Sequence, residues 1–314
     1  MTWGTTDLTV RYPHTLALDA VTFAAPAGQI SAVVGGDGAG KSTLLRSLVG
    51  GVRPTSGRVD APALREIGFM PTGTGVWREL TVAENLDFVA AAYGVRDRDR
   101  RAALLAAAGL EQVTGRLAGQ LSGGMRQKLA FTLAMLHAPR LLVLDEPSTG
   151  VDPVSRVELW RLIARAAVDG AAVVLSTTYL DEAERAGTVC VLDNGRVLRS
   201  GPPEDVMSST PGTITVTDDP PDRDLAWRRG RQWHAWHPGP PLPGETPVAA
   251  DMEDAVIAAT LALREQGPSA ATSDPSATTP GPDTATSGLP PTTPGPDTAT
   301  SATTPGPTTS GSPS

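Results

Sequence analysis

The sequence predicts an α/β fold with a parallel sheet at its centre, and three observations predict it. A glycine-rich loop from Gly35 to Ser42 separates a short apolar strand pattern from a helical pattern. The run Leu141, Leu142, Val143, Leu144 is continuously apolar, as expected of a strand covered on both faces of a parallel sheet. Strand and helix patterns then alternate, with a strand at residues 141–145, a helix near 154–168 and a strand at 173–177.

The elements read in order as follows. Residues 1–30 and 52–70 read as short strands with turns, including 16–23. Residues 29–34 form a strand with Ile30, Val33 and Val34 apolar, stopped by glycines. Residues 42–49 read as a helix with Leu44, Leu45, Leu48 and Val49 on one face. Residues 78–137 are helical, rich in alanine and leucine, and end near Pro139. Within them Arg96 to Arg101, mixed in sign, reads as a solvated helix start. After the 173–177 strand comes a hairpin whose turn is Asn194-Gly195.

The loop Gly35, Gly36, Asp37, Gly38, Ala39, Gly40, Lys41, Ser42 fits the phosphate-binding pattern G-x-x-x-x-G-K-[ST]. Glycines accept positive φ and let the backbone approach an anion closely. Several N–H groups then point inward, and the following helix adds its partial positive charge. Lys41 supplies a full charge, one of only two lysines in the chain. The Ser42 hydroxyl is placed to ligate magnesium, and Thr43 completes the set of nucleotide-binding candidates. Asp145 and Glu146 follow the buried strand, at the strand end where ligands gather in open α/β sheets. Asp145 is the candidate magnesium residue, and Glu146 the candidate general base that polarises a water.

Eighty residues after the loop, Leu121, Ser122, Gly123, Gly124 and Met125 form a second motif, and Ser148, Thr149, Gly150, Val151 and Asp152 a third. With these the chain resembles the nucleotide-binding domain of ABC transporters over roughly residues 4–208. The resemblance implies a P-loop NTPase core of RecA-like type with an antiparallel β subdomain, formed by residues 1–30 and 52–70, that holds adenine, and an α-helical subdomain that faces the permease. It implies ATP and Mg²⁺ as cofactors, and two domains bound head to tail. Each ATP then lies between one phosphate loop and the other domain's signature, where Ser122, Gly123 and Gly124 offer N–H groups to the γ-phosphate. Tyr12 matches the aromatic that stacks on adenine, and residues 148–152 match the segment that bridges the two sites. The segments 80–86, 180–184 and 193–196 with Gly201 resemble drug and antibiotic exporters that pair with a separate permease.

Two positions depart from the family pattern. Thr72 stands where the family places a glutamine, and Thr178 where it places a histidine. The nearest downstream histidines are His234 and His237, in a Pro-rich stretch. Loss of one preorganised donor typically costs ~10²–10³ in rate, so this chain's own site is expected to bind ATP and turn it over slowly. The intact signature would serve a partner's site. A homodimer and a heterodimer with a complete partner subunit both fit, as does a subunit that binds ATP and leaves hydrolysis to another chain.

Composition sets the remaining bounds. Net charge is −8, which argues against nucleic acid as a partner. No apolar run approaches the ~18 residues needed to span a bilayer, and the N-terminus lacks a signal pattern. The chain is therefore expected in the cytoplasm, reaching the membrane's inner face through a permease. The lone Cys190 lies in an apolar stretch and reads as a buried small hydrophobe. The expected organisation is an ATP-binding domain at 1–208, an accessory segment at 209–267 and a tail at 268–314. In the accessory segment, Asp251 caps an amphipathic helix to residue 266, with Met252, Val256, Ala259 and Leu263 on one side. Trp233, His234, Ala235, Trp236 and His237 are expected to pack this appendage onto the core. The tail repeats one ten-residue segment at 278–287 and 292–301, and its Pro/Thr/Ser/Gly composition predicts disorder.

Overall fold

The computed structural model describes residues 1–265; the predicted repeat tail, 268–314, lies outside them. In chain order the elements are Thr2–Tyr12 (β1), Thr15–Pro26 (β2), Ile30–Val34 (β3), Lys41–Leu48 (α1), Ser56–Asp60 (β4) and Ile67–Met70 (β5). Then come Val82–Tyr93 (α2), Arg98–Ala108 (α3), Gly123–Met135 (α4), Leu141–Asp145 (β6), Pro153–Val168 (α5), Ala172–Thr177 (β7) and Leu180–Ala183 (α6). The chain continues through Thr188–Asp193 (β8), Arg196–Gly201 (β9), Pro203–Ser208 (α7) and Thr213–Thr217 (β10). The last elements are Ala226–Arg229 (β11), Gln232–His237 (β12), Thr246–Val248 (β13) and Met252–Glu265 (α8).

The central sheet has the order β5-β6-β7-β3-β8-β9, parallel except for the β8–β9 hairpin. Its alternating side chains feed two different cores. Leu142, Leu144, Val173 and Leu175 pack on one face with residues of α4, α5 and α8. Leu141, Val143, Val174 and Cys190 pack on the other with Leu44, Leu45 and Leu48 of α1 and with β1 and β2. Burial on both faces is why the strand sequences are apolar without alternation. The hairpin turn follows the Asn194-Gly195 expectation, with φ of 46° and 76°.

One strand departs from the expectation. The antiparallel sheet contains β2-β1-β4 only, and Ile67–Met70 instead pairs in parallel with β6 at the edge of the central sheet. Its length of four residues and single glycine leave no local signal that separates these two fates.

The helical subdomain closes over Val82, Leu86, Leu105, Leu110, Leu129, Leu133 and Leu136. A reciprocal capping box, Thr81 with Glu84, starts α2; hydrogen bonds from the Thr81 backbone and side chain hold the Glu84 carboxyl below its usual range. Fully buried Asn85 accepts from Trp77 N and donates to Trp77, Leu80 and Thr81 carbonyls, which fixes the approach to that helix. The Arg96–Arg101 run is more than the solvated start expected of it. Arg100 donates to the carbonyls of Met135 and Leu136 at 2.7 and 3.2 Å, satisfying the end of α4, and Arg101 pairs with Asp87 and donates to Ala83 O.

The accessory segment contains a second sheet, β11-β12-β10-β13, that the sequence reading did not anticipate. It also changes the role of the Trp-His cluster. Trp236 packs on Ile214 and Ala258, so it joins the small sheet to α8 rather than to the core. His234 bonds Asp254 and His237 bonds Glu245, both inside the appendage. Contact with the core comes from Met252, Ala255 and Val256 on the other side of α8. Asp251 and Asp254 cap that helix reciprocally through each other's N–H groups. Among the described residues, no helix is long and apolar enough to cross a membrane.

Two expectations follow. Trp236 is 2% exposed and its indole donates to Pro211 O at 2.6 Å, so Trp236→Ala should destabilise the small sheet by about 3–5 kcal/mol. Urea unfolding followed by near-ultraviolet circular dichroism tests this; a change under about 1 kcal/mol contradicts it. Burial pushes the Cys190 thiol up to about 12, and only the thiolate reacts. The folded chain should resist a chromogenic disulfide reagent at about pH 8 and release one equivalent after denaturation; prompt labelling of the folded chain would show that β8 opens.

Candidate functional site

The phosphate loop connects the C-terminal end of β3 to α1. Gly40 occupies the N-cap of α1 at φ 107°, where an added Cβ would lie 2.7 Å from Ala17 O. Neighbouring backbone holds the loop from outside. Gly195 donates to Ala39 O at 2.9 Å, and Asp19 donates to Gly195 O at 2.8 Å. The β8–β9 turn, read from sequence as an ordinary hairpin, therefore buttresses the loop against β2.

Asp37, Gly38, Ala39, Gly40, Lys41, Ser42 and Thr43 line a cleft of about 350 Å³ with Thr15, Leu16, Ala17, Glu146 and Asn194. Gly35 and Gly36 lie behind it and accept hydrogen bonds from Lys41 Nζ at 2.8 and 3.0 Å. Lys41 is 5% exposed, and Glu146 Oε1 stands 4.0 Å from its ammonium. Glu146 has φ 53°, a left-handed backbone that costs a non-glycine residue energy. Its left-handed turn at the end of β6 puts the carboxylate beside Lys41.

Asp145 is 1% exposed, and three hydroxyls meet its carboxylate. Ser42 donates to Oδ1 at 3.1 Å, Ser176 to Oδ1 at 2.7 Å and Thr72 to Oδ2 at 2.9 Å. A buried carboxylate is tolerated because it is hydrogen-bonded in this way. Among the described residues, no cluster of three or more His, Cys, Asp or Glu side chains is placed to hold a metal ion. The oxygen set of Ser42 and Asp145 beside a phosphate cradle nevertheless fits a hard cation, because magnesium takes few protein ligands and completes its shell with phosphate and water.

The other predicted residues sit around this centre. Tyr12 ends β1, paired with Thr15 and 41% exposed; Thr15, Leu16 and Ala17 rather than Tyr12 line the cleft. Ser122 caps α4, accepting from Met125 N at 3.2 Å, with Gly123 and Gly124 as its first residues. Gly124 abuts Ser155 of α5 so closely that any Cβ would overlap it. None of these three lines the cleft formed by the chain's own phosphate loop. Asp152 caps α5, accepting from Val154 and Ser155 N–H groups; the Ser155 side chain first, then these N–H groups, hold its carboxyl below the usual range. Thr178 is exposed beyond β7, while neighbouring Thr177 is buried and donates to Glu182 at 2.6 Å.

The sequence reading missed Ser176, Asn194 and the Thr15–Ala17 lining. Ser176 is a single serine in an apolar strand, with no local signal; only the parallel register Asp145↔Ser176 reveals it. Lys41 is the one full positive charge among the residues lining the cleft, so Lys41→Ala should weaken ATP binding at least about tenfold, given what a charged donor contributes. Equilibrium dialysis measures it; unchanged affinity would place the nucleotide elsewhere.

The family profile described as ABC transporter matches residues 18–149. The probable multidrug ABC transporter ATP-binding protein YbhF of Escherichia coli (strain K12) is 39% identical over 207 residues, covering 62% of this chain and 36% of YbhF. The chain thus spans little more than a third of that relative's length. Nod factor export ATP-binding protein I of Burkholderia thailandensis is 33% identical over 226 residues, covering 68% of this chain and 74% of that protein. A solved ATP-binding subunit of an ABC transporter superposes with a TM-score of 0.60 at 30% identity, over 66% of this chain and 92% of the other. Sequence and fold agree over about two thirds of the chain, and on that ground it belongs to the ABC transporter ATP-binding family.

Proposed function

We propose that this chain is the ATP-binding and ATP-hydrolysing subunit of an export-type ABC transporter, driving a separate membrane permease by ATP-dependent pairing with a second cassette. The carrying observation is the cleft in which Lys41, the Ser42–Asp145 pair and Glu146 converge on a helix N-terminus. A polyphosphate gives the Lys41 ammonium stronger acceptors than the Gly35 and Gly36 carbonyls it now holds. That movement frees Glu146 from its cationic neighbour Lys41 and leaves its carboxylate able to accept a proton from water. Mg²⁺, held by Ser42 and Asp145, supplies charge withdrawal from the phosphate oxygens when bound. The exposed Tyr12 ring at the hairpin tip is available to stack on adenine.

The signature lies outside the cleft of its own chain, which supports a head-to-tail pair in which Ser122, Gly123 and Gly124 face a second cassette's γ-phosphate. The relatives' names, multidrug transport and Nod factor export, support the export reading and a cassette on the inner face of the cell membrane. A threonine at position 178 offers a short neutral hydroxyl where the family pattern has an imidazole. Turnover is therefore expected to be slow by ~10²–10³ relative to a site that keeps this donor.

The test is ATP hydrolysis and ATP binding by the purified chain beside Glu146→Gln and Thr178→His. The expected outcome is hydrolysis abolished and binding retained in the first variant, and faster turnover in the second. Hydrolysis that survives Glu146→Gln at the parent rate would sink the catalytic assignment.

A further inference from the structure

We infer that Ser176 and Thr72 are positioning residues that together fix the plane of the Asp145 carboxylate, and that Ser176 also ties this carboxylate to the backbone of Glu146. The inference rests on the nucleotide reading above and deepens it. Strand order carries the argument. β6 lies between β5 and β7, so the residues that follow or end those neighbours reach Asp145 from opposite sides. Ser176 stands directly across the ladder from Asp145, and Thr72 follows β5 by two residues.

Each hydroxyl takes a different oxygen: Ser176 donates to Oδ1 at 2.7 Å and Thr72 to Oδ2 at 2.9 Å. Two donors on two oxygens define the carboxylate plane, whereas one donor leaves it free to turn. Ser42 also donates to Oδ1, at 3.1 Å, but the Ser42 oxygen is one that would ligate a cation at this site. Ser176 and Thr72 are the donors that remain. Ser176 is itself held, because its oxygen accepts the Glu146 N–H at 2.9 Å while its proton goes to Asp145. Its hydroxyl has one proton to give, and a fully buried side chain has no water with which to exchange these partners. One hydroxyl therefore sets both the acid of the metal site and the left-handed peptide that aims Glu146.

The experiment is equilibrium binding of ADP with Mg²⁺ and with EDTA, for the full chain, Ser176→Ala, Thr72→Val and Thr72→Ser. The measured quantity is the ratio of the two affinities, which needs no turnover. We expect that ratio to fall roughly tenfold in Ser176→Ala and in Thr72→Val, the size expected for one hydrogen bond to a charge. Thr72→Ser, which keeps the hydroxyl, should restore the parent ratio. Affinity in EDTA should stay within about twofold throughout, since the phosphate cradle is untouched. Thr72 is exposed, so its valine variant should fold even where the alanine at buried position 176 does not. A parent-like ratio in Thr72→Val overturns the inference. So does a parallel fall of affinity with and without Mg²⁺, which is the mark of a merely structural role. Absence of ADP binding by the parent chain overturns the nucleotide reading itself, and is told apart because it needs no variant.

Discussion

A buried carboxylate is tolerated only where hydrogen-bond donors surround it, and Asp145 is that carboxylate here. It lies at the end of the second strand of a six-stranded sheet, 1% exposed, with three hydroxyls on its two oxygens. No local segment can deliver those donors. Ser42 arrives from the helix after β3, Thr72 from the turn after β5 and Ser176 from β7. Only a parallel arrangement puts the C-terminal ends of all four strands at one edge, and only the order β5-β6-β7-β3 places β6 between two of the contributors. The apolar faces that build the two cores hold this order in place, so packing far from the cleft decides whether the carboxylate is solvated by protein.

The same constraint explains the local strain beside it. Glu146 directly follows Asp145, and an extended backbone would place its side chain on the opposite face of the sheet from Asp145. The left-handed φ of 53° turns it toward Lys41, 4.0 Å away. A residue so placed persists only where neighbours over-determine it. Its N–H is bonded to Ser176 and its Oε2 accepts from Thr149, at 2.9 and 3.3 Å. Lys41, for its part, is satisfied by the carbonyls of its own loop. The cleft's charges thus satisfy one another, each against a weaker partner than a polyphosphate provides.

What the sequence made legible follows from how far each signal reaches along the chain. Gly35 to Ser42 and Asp145-Glu146 were readable because each is contiguous and chemically specific. The buried strands were readable because two-sided burial leaves them mostly apolar, without polar alternation. Ser176 was not, since its meaning lies in a register with a residue 31 positions away. The fate of Ile67–Met70 was hidden for the same reason: four residues carry no instruction about which sheet they join. The C-terminal sheet is a different case. Thr213, Ile214, Thr215, Val216 and Thr217 alternate in residues that favour strands, but the Pro, Trp and Arg that follow interrupt any longer strand pattern. The arginines at 100 and 101 were read by charge alone, whereas α3 brings both to backbone carbonyls, and Arg100 to those ending α4.

The two threonines at 72 and 178 belong to one argument about reach. A hydroxyl on Cβ extends only as far as the groups that its own backbone adjoins. Thr72 spends that reach on Asp145, a partner fixed by strand pairing, so its contribution is to hold protein against protein. Thr178, exposed at the end of β7, has no such partner among the hydrogen bonds of the described residues, and the buried bond there is made by Thr177 to Glu182. The polar groups around this cleft are therefore concentrated on the carboxylate and on the phosphate cradle, where binding is decided. Exposed Thr178 adds only a short neutral hydroxyl, and preorganised donors to developing charge are what separate catalysis from binding. On the proposed reading, slow chemistry beside retained nucleotide binding is what that distribution predicts.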